Sequence, residues 1–340
     1  MDEIRYQLKI PKGYRPRLGI AETERAIKFL KDTFENRLAD ALSLTRVSAP
    51  LFVRPESGLN DNLNGVERPV VFDMRYDGGR KAEIVHSLAK WKRHALGRYG
   101  IRAGSGLYTD MNAIRRDEVT DNLHSLYVDQ WDWEKVIRSE DRSPAYLRKT
   151  VETIYRVFKE TEAAVADRIP GLPRLLPEAV HIVSTQELED RYPALSPSER
   201  ETEAAREYGA VFLTGIGGAL RSGRRHDGRA PDYDDWSLNG DLIFYYPLLD
   251  RAFEVSSMGI RVDADALRRQ LADAGCEERA ALPFQRALLN GELPQTIGGG
   301  IGQSRLCMFF LGKAHIGEVQ ASLWPEGMAE ECAAAGVPLL

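Results

Sequence analysis

The chain has 340 residues and a formal net charge of −5, with 43% hydrophobic and 29% charged residues. This composition is typical of a packed globular protein and excludes a mainly disordered chain. The acidic balance argues against nucleic acid as the main partner, because nucleic-acid-binding domains usually carry a basic face.

Cysteine usage and the N-terminal sequence indicate the compartment. Cys276, Cys307 and Cys332 are few, odd in number and widely spaced, with no C-x-x-C or metal-type spacing. This usage predicts a reducing cytoplasm. Residues 1–5 lack the apolar segment of a signal peptide, and no apolar run approaches the roughly 20 residues that span a bilayer. We therefore expect a cytoplasmic protein with no membrane partner.

The chain begins with a predicted helix and strand. Apolar residues recur at three- and four-residue spacing over residues 22–42, which indicates an amphipathic helix. A strand is expected at residues 44–53, where Pro50 favours an edge or an interface. A polar loop at residues 54–69, with Asp61 near its middle, follows the strand.

A hairpin, a basic helix and two strands come next. Residues 70–74 and 81–85 predict a hairpin across a glycine-containing turn. Residues 86–99 predict a basic helix whose Lys90, Lys92 and Arg93 face different ways. Strands are then expected at residues 106–115 and 123–133.

The second of these strands changes character along its length. Alternation places Leu126, Val128, Gln130 and Asp132 on one face, which passes from apolar to polar. This pattern favours a strand that runs from the core into a ligand pocket, although a strand emerging into solvent has the same pattern.

The rest of the chain mixes helices and strands. Its expected elements are a helix at 143–169, short strands at 181–183 and 210–213, a loop at 221–236, and a hairpin at 240–246 and 252–258. Strands and helices do not alternate strictly, so we expect an α+β fold with a largely antiparallel sheet flanked by helices. We interpret residues 1–340 as a single domain.

The last hairpin carries two carboxylates. Pairing about its turn would put Asp241 opposite Ser256 and Glu254 opposite Ile243, all on one face. Asp241 and Glu254 would then be diagonal neighbours, roughly 7–8 Å apart at the backbone. Two carboxylates beside phosphate commonly hold Mg²⁺, so we expect a metal site there. A solvated acidic pair is the alternative, but apolar neighbours on the opposite face weaken it.

A glycine-rich run near the C-terminus precedes an apolar segment. Four glycines occupy five positions from Gly298 to Gly302, and residues 304–311 predict a buried helix with Arg305 in its first turn. Such a loop can bring backbone close to a ligand, and a helix start favours anions. The run is neither a P-loop nor a Rossmann fingerprint. A flexible surface loop before a core helix remains the alternative.

Two arginines complete a possible nucleotide site. Arg115 ends a predicted strand and Arg305 begins the last helix, and arginine binds phosphate in a bidentate manner. A purine triphosphate between these arginines, with Mg²⁺ on Asp241 and Glu254, would suit electrostatic stabilisation of an in-line displacement.

Three separated stretches together resemble the three motifs of class II aminoacyl-tRNA synthetase catalytic domains. The first helix with Ser48-Ala49-Pro50 is similar to the dimer-forming first motif. Residues 113–118 resemble the strand–loop–strand of the second motif. Residues 298–305, glycines followed by an arginine, resemble the third.

A closer resemblance covers nearly the whole chain. Four strings, HSLAKWKR, YVDQWDW, RAPDYDDW and SSMGIRVD, at residues 86–93, 127–133, 229–236 and 256–263, are similar to the aspartate–ammonia ligase family. The resemblance implies a class II synthetase-like fold, a homodimer and no tRNA anticodon domain. It also implies ATP-dependent amidation of L-aspartate by ammonia, with release of AMP and pyrophosphate. One departure is Ser105, which stands where an acidic residue is expected.

The same resemblance implies roles for individual residues. Arg115 would hold the α-phosphate and the attacking carboxylate, Arg305 would clamp the nucleotide beside Gly300 and Gly302, and Asp61 would meet the ammonia. Asp241 and Glu254 would carry Mg²⁺. The aspartate pocket would consist of Ser87, Lys92, Gln130, Asp132, Asp234 and Ser257. For Ser87 and Ser257 a capping role is the strong alternative, and for Asp61 a turn residue.

Two other functions stay open from the sequence. A class II domain that charges aspartate or asparagine onto tRNA or another acceptor would be expected to carry an added β-barrel domain or a basic tail. A non-catalytic amino-acid sensor would be expected to have lost the arginines and carboxylates, which are present. No Ser-His or Cys-His arrangement suggests a protein nucleophile, and the six histidines are interpreted as structural or exposed.

Overall fold

The structure is a computed structural model that describes residues 6–61 and 67–340. Part of the predicted polar loop at 54–69 therefore lies outside the described residues. The described strands are β1 (Leu44–Arg46), β2 (Phe52–Val53), β3 (Val71–Met74), β4 (Arg80–Ile84), β5 (Gly106–Ile114), β6 (Tyr127–Val136), β7 (His181–Ser184), β8 (Ala210–Thr214), β9 (Asp234–Tyr246), β10 (Arg251–Arg261) and β11 (Thr296–Gly302). The described α-helices are α1 (Ile20–Leu42), α2 (Ala89–Tyr99), α3 (Pro144–Arg168), α4 (Thr185–Arg191), α5 (Pro197–Tyr208), α6 (Ala264–Asp273), α7 (Pro283–Leu289), α8 (Gln303–Phe310) and α9 (Glu326–Ala334).

Eight strands form one large sheet in the order β1-β5-β6-β11-β10-β9-β8-β7. The six inner strands pair antiparallel, while β1 and β7 pair parallel to their neighbours at the two edges. A second sheet of order β2-β4-β3 stands apart. The predicted α+β fold with a largely antiparallel sheet is confirmed.

The main core lies between one face of the large sheet and α1, α3 and α8. Phe34 of α1 stacks on Trp131 of β6 and meets Phe158 of α3, with ring centroids 4.9 Å apart in both pairs. All three side chains are fully buried, and burying a side chain of this size stabilises a fold by roughly 1.5–3 kcal/mol. This face of the sheet is thus committed to packing, which leaves the other face for a cavity.

The long helix α3 begins where its sequence predicts. Ser143 lies at the N-cap with extended backbone, and its hydroxyl accepts a hydrogen bond from the N–H of Tyr146. Pro144 at the first helical position has no N–H to leave unpaired. Apolar residues spaced by three and four, among them Val151, Ile154 and Phe158, then face the core. Within residues 6–61 and 67–340, no helix is long and apolar enough to cross a bilayer.

The predicted glycine loop is wrong, because Gly298–Gly302 belongs to β11, an inner strand between β6 and β10. The strand needs glycine at these positions because neighbouring atoms occupy the space that a Cβ would fill. A Cβ on Gly298 would lie 2.0 Å from Oε2 of Glu134, and one on Gly299 would lie 2.6 Å from Cβ of Met258. The helix predicted after it is confirmed as α8.

The single strand predicted at residues 44–53 is also wrong. The segment forms β1 in the large sheet and β2 in the small sheet. Pro50 lies between them, where the missing N–H of proline breaks ladder pairing. The hairpin predicted at 70–74 and 81–85 is confirmed as β3 and β4. The strand predicted at 123–133 begins only at Tyr127 and extends to Val136.

The register predicted for the β9–β10 hairpin holds on one side of a bulge and fails on the other. Glu254 pairs with Ile243 as expected, but the ladder shifts between Glu254 and Ser256, so that Asp241 pairs with Ser257 rather than with Ser256. A bulge adds one residue to one strand and exchanges its faces beyond that point. Ser257 therefore joins Asp241 and Glu254 on the cavity side, which regular alternation from Glu254 would not allow.

The basic helix predicted at residues 86–99 is confirmed as α2, but its cations do not face solvent. Lys90, Lys92 and Arg93 are all buried. Nζ of Lys90 lies 3.1 Å from Oδ2 of Asp232, and Arg93 donates to the main-chain oxygens of Pro294 and Val262. These pairs tie the helix to the segments that precede β9 and β11 and that follow β10.

Candidate active site

A cavity of about 450 Å³ opens on the face of the sheet opposite the main core. Its volume suits a small-molecule site. Every residue to which the sequence assigned a site role lines this cavity: Asp61, Ser87, Lys92, Arg115, Gln130, Asp132, Asp234, Asp241, Glu254, Ser257, Gly300, Gly302 and Arg305. The fold therefore brings together residues that are up to 244 positions apart in the chain.

Lys92 and Asp132 form the inner wall. Nζ of Lys92 lies 3.2 Å from Oδ2 of Asp132 and donates to the main-chain oxygens of Trp133 and Gly299 at 3.1 and 2.9 Å. The same Asp132 oxygen accepts the N–H of Leu88 at 3.3 Å. Burial lowers the pKa of Lys92, and the carboxylates beside it offset part of that effect. The lysine is thus a fixed part of the wall.

A second buried network lies directly beneath that wall. Arg261 forms an ion pair with Glu134, in which Nη2 of Arg261 lies 2.7 Å from Oε2 of Glu134. Nη1 of Arg261 donates a hydrogen bond to Asp234. Burial alone would raise the pKa of Glu134, but Arg261 outweighs it and the pKa is lowered. Removing one partner of a buried pair leaves an uncompensated charge, which typically costs 3–5 kcal/mol. The pair therefore fixes Asp234 at the cavity edge.

Arg229 is the main site residue that the sequence reasoning missed. Its guanidinium donates to Oδ1 of Asp241 at 2.7 Å and to the hydroxyl of Ser257. Burial would lower the pKa of Arg229, but Asp241 and its other neighbours outweigh burial and the pKa is raised. Arg229 stands in the RAPDYDDW string, but only the tertiary contact with Asp241 assigns it a place.

Asp241 and Glu254 both face the cavity, and their environment fits a divalent cation. Burial raises the pKa of Asp241 to about 7, and the neighbouring Glu254 adds to the rise, while Arg229 opposes it. The two carboxylates repel each other although Arg229 and Arg305 lie beside them, and Mg²⁺ accepts two carboxylates with water and phosphate oxygens. In the described part of the chain, no three His, Cys, Asp or Glu side chains group to hold a metal. Asp241 and Glu254 are the two carboxylates that would hold the cation.

Arg115 and Arg305 line the same cavity, and Arg305 contacts the carboxylate pair. Arg305 donates from Nη1 to the main-chain oxygen of Glu254 at 2.8 Å, and the same nitrogen lies 3.7 Å from Oε2 of Glu254. Arg115 follows β5 directly, and its Nε is buried with no hydrogen-bond partner among the described residues. A buried unpaired guanidinium nitrogen is costly, so this group is poised for an anion.

Asp61 lies at the edge of the described part of its loop, with 2% of its surface exposed. Its main-chain oxygen lies 3.1 Å from Nδ1 of His86, and both Asp61 and His86 donate their N–H to the side chain of Asn60. Burial raises the pKa of Tyr233 well above its usual range, and the charge of Asp61 adds to this. Asp61 is therefore a buried cavity residue and not an exposed turn residue.

The structure gives places to two of the histidines, to Ser87 and to Ser105. His86 and His124 line the cavity, so the interpretation of the histidines as only structural or exposed is incomplete. The hydroxyl of Ser87 accepts the N–H of Ala89 at 3.1 Å, but the N-cap of α2 is Leu88, so Ser87 lines the cavity without being the helix cap. Ser105 is exposed in the turn before β5 and does not line the cavity.

Comparison with protein families decides the classification. A family model described as aspartate–ammonia ligase matches residues 21–336. The chain belongs to the aspartate–ammonia ligase family. Aspartate–ammonia ligases from Ruminiclostridium cellulolyticum and Clostridium perfringens (strain 13) are 63% and 62% identical to it. These matches cover 97% and 98% of this chain and 98% and 99% of those proteins.

Solved structures show the fold of this aspartate–ammonia ligase family member. Asparaginyl-tRNA synthetase from Pyrococcus horikoshii, complexed with asparaginyl-adenylate, has a TM-score of 0.65 at 16% identity over 89% of this chain and 70% of that one. Asparaginyl-tRNA synthetase from Entamoeba histolytica has a TM-score of 0.61 at 14% identity, over 88% and 67%. The predicted class II synthetase-like fold is confirmed.

Proposed function

We propose that the chain amidates L-aspartate with ammonia to give L-asparagine, through a β-aspartyl adenylate formed from ATP. AMP and pyrophosphate are the other products. The observation that carries this proposal is the single cavity in which an arginine pair, a carboxylate pair and a polar pocket meet. Membership in the aspartate–ammonia ligase family supports the substrates, and the fold shared with synthetases, one complexed with an adenylate, supports the intermediate.

The aspartate end of the cavity is assigned to β6, the start of α2, and parts of β9 and β10. Asp132 and Asp234 supply negative charge for the substrate ammonium, and Gln130, Ser87 and Ser257 supply hydrogen bonds. Lys92 supplies positive charge for a substrate carboxylate. We add Arg229 to this set, because its guanidinium group lies between Ser257 and Asp241, where the two halves of the site meet.

The nucleotide end is assigned to the end of β5 and to β9, β10, β11 and α8. Arg115 would bind the α-phosphate and the attacking carboxylate, and Arg305 would clamp the nucleotide. Gly300 and Gly302 would let backbone approach it closely. Asp241 and Glu254 would hold Mg²⁺, which when bound neutralises charge on the phosphates.

The chemistry explains why both ends are needed. A carboxylate does not react with ammonia, because its leaving group is poor. An oxygen of the aspartate side chain therefore bonds to the α-phosphorus, and the bond to the β-phosphate oxygen breaks to release pyrophosphate. The ammonia nitrogen then bonds to the side-chain carbon, AMP leaves with the bonding pair, and the nitrogen loses its extra proton. Asp61 would take a proton from the incoming ammonium.

Product analysis tests the reaction. The purified protein with aspartate, ATP, Mg²⁺ and an ammonium salt should form asparagine, AMP and pyrophosphate in equal amounts without tRNA. Release of ADP and phosphate would overturn the adenylate, because those products belong to a phosphoryl intermediate. Incorporation of labelled aspartate or asparagine into added tRNA would instead support charging, the function named for the synthetases of like fold.

We also propose a homodimer, a cytoplasmic location and one catalytic domain spanning residues 1–340. Leu51, Phe52, Val71 and Phe72 are between 38% and 48% exposed on the small sheet, and Phe52 and Phe72 touch with centroids 5.2 Å apart. A contiguous exposed apolar patch favours an interface.

The three cysteines are buried and free, which suits a reducing compartment. The single large sheet supports one domain.

A further inference from the structure

The start of α8 lacks a capping side chain of its own. Gly302 occupies the N-cap, and glycine has no side chain to accept the first N–H groups of the helix. A larger residue would be crowded there, because a Cβ on Gly302 would lie 3.1 Å from Cβ of Arg305. The cap must therefore come from elsewhere in the fold.

Asp129, on the strand β6 that pairs with β11, supplies the missing helix cap. Its Oδ1 accepts the N–H of Ser304 at 3.0 Å, and its Oδ2 accepts the hydroxyl of Ser304 at 2.8 Å. Nζ of Lys31 and Nε2 of Gln320 approach the same carboxylate at 3.1 and 3.3 Å. Both oxygens are thus committed to protein groups, and an anion at a helix N-terminus also interacts favourably with the helix dipole.

The capped residue is the immediate neighbour of Arg305. Beyond its helix, the guanidinium of Arg305 contacts Glu254 of β10. Its side chain is 20% exposed. The place of the guanidinium therefore depends on where the first turn of α8 lies, and Asp129 fixes that turn.

We propose that Asp129 is a positioning residue for Arg305: it caps α8 from the neighbouring strand and sets where the guanidinium meets a nucleoside triphosphate. The inference rests on the proposed function for the identity of that ligand. Asp129 also lines the cavity, but both of its oxygens are bonded to protein groups, so the inference assigns it no contact with substrate.

A double-mutant cycle tests the proposal. Asp129→Ala should raise the dissociation constant for Mg²⁺ and α,β-methylene-ATP, measured by calorimetry, about fivefold to tenfold, while the KM for aspartate changes less than about twofold. In an Arg305→Ala background the same change should have almost no further effect, because residues acting through one contact are not additive. If Asp129→Ala does not fold, Asp129→Asn completes the cycle with a smaller rise in the dissociation constant, about twofold to threefold, because the amide keeps one acceptor for the N–H of Ser304 but lacks the negative charge and the second acceptor oxygen.

Asp110→Asn is the matched control. Asp110 of β5 contacts the same helix, because its Oδ1 accepts Nε2 of Gln303 at 3.0 Å, but it accepts no main-chain N–H of α8. This variant should keep the analogue affinity of the wild type. Equal factors in the two Arg305 backgrounds, or an unchanged affinity in the Asp129 variants, would overturn the proposal. An unmodified protein that binds the analogue but makes no asparagine would overturn the proposed function instead.

Discussion

Gly300 of β11 lies directly opposite Asp132 of β6, and a Cβ on Gly300 would come within 2.8 Å of Oδ1 of Asp132 and 2.6 Å of Oε1 of Gln130. The glycine therefore makes room for the two side chains assigned to the aspartate pocket. Real Cβ atoms do not approach other atoms so closely, so a side chain at this position would displace both.

Gly300→Ala should accordingly raise the KM for aspartate by about tenfold or more, which corresponds to about 1.4 kcal/mol. Steady-state kinetics with aspartate varied at saturating ATP measure it. Gly218→Ala is the control, because a Cβ at Gly218 meets nothing within 4 Å. An unchanged aspartate KM in Gly300→Ala would remove Gln130 and Asp132 from the pocket.

Glu254→Gln should raise the Mg²⁺ concentration needed for half-maximal activity about tenfold, because one anionic ligand is lost. The hydrogen bond from Arg305 to the main-chain oxygen of Glu254 does not depend on the carboxylate. Excess Mg²⁺ should recover part of the rate. Glu118→Gln removes the same charge from the same cavity and should leave the Mg²⁺ dependence unchanged. An identical Mg²⁺ titration for Glu254→Gln and wild type would exclude Glu254 as a ligand.

Asp61→Ala should separate the two half-reactions. Aspartate-dependent exchange of pyrophosphate into ATP should persist, since Asp61 lies apart from the β9–β10 hairpin in the chain and is assigned to the ammonia step. Asparagine formation at neutral pH should fall sharply, because most ammonia is then ammonium without a free electron pair. Raising the pH increases the fraction of free ammonia and should recover part of the lost asparagine formation. If exchange and amidation fall by the same factor, Asp61 belongs to aspartate binding or adenylation.

His315 should make the fold sensitive to acid. The side chain is fully buried, its Nδ1 accepts the N–H of Gly317 at 3.0 Å, and burial lowers its pKa to about 4 although Asp121 opposes this. The unfolded chain takes up a proton near pH 6.5, and the folded chain resists it until about pH 4. The stability that neutral His315 contributes is therefore complete above pH 6.5 and is lost as the pH falls toward 4.

The effect can be measured by urea unfolding. Between about pH 7 and about pH 5, the wild type should lose about 2 kcal/mol more of its free energy of unfolding than His315→Asn does. Asparagine can still accept the N–H of Gly317, so the variant should fold. His94→Asn, at an exposed position of α2, is the control and should keep the wild-type slope. Parallel pH profiles for wild type and His315→Asn would contradict the assignment.

Phe52→Lys should weaken the proposed dimer. A charge placed in the patch formed by Leu51, Phe52, Val71 and Phe72 would be desolvated on association. Sedimentation velocity at micromolar concentration should then show mainly monomer, whereas the unmodified protein should sediment as a dimer. Tyr99→Lys, which alters an equally exposed aromatic residue elsewhere, should remain dimeric. A fully active monomeric wild type would remove the homodimer proposal.

Local sequence patterns determined most of the secondary structure. The spacing of apolar residues in α1 and α3 predicted both helices, because helical periodicity places one face on the core whatever surrounds it. The long strings that carry the family resemblance named site residues that all proved to line one cavity. A resemblance of this kind transfers residue positions without requiring any knowledge of their contacts.

What the tertiary structure alone decided depends on neighbours distant in the chain. Glycines 298–302 form an inner strand because Glu134, Met258 and Asp132 occupy the space that side chains would need, and no local pattern contains those neighbours. The bulge beside Glu254 places Ser257 on the cavity face. Arg229 is recognised as a site residue only from its hydrogen bond to Asp241. Local propensity fixes the direction and period of a segment, whereas register, close approach and the pairing of buried charges are settled by packing between segments.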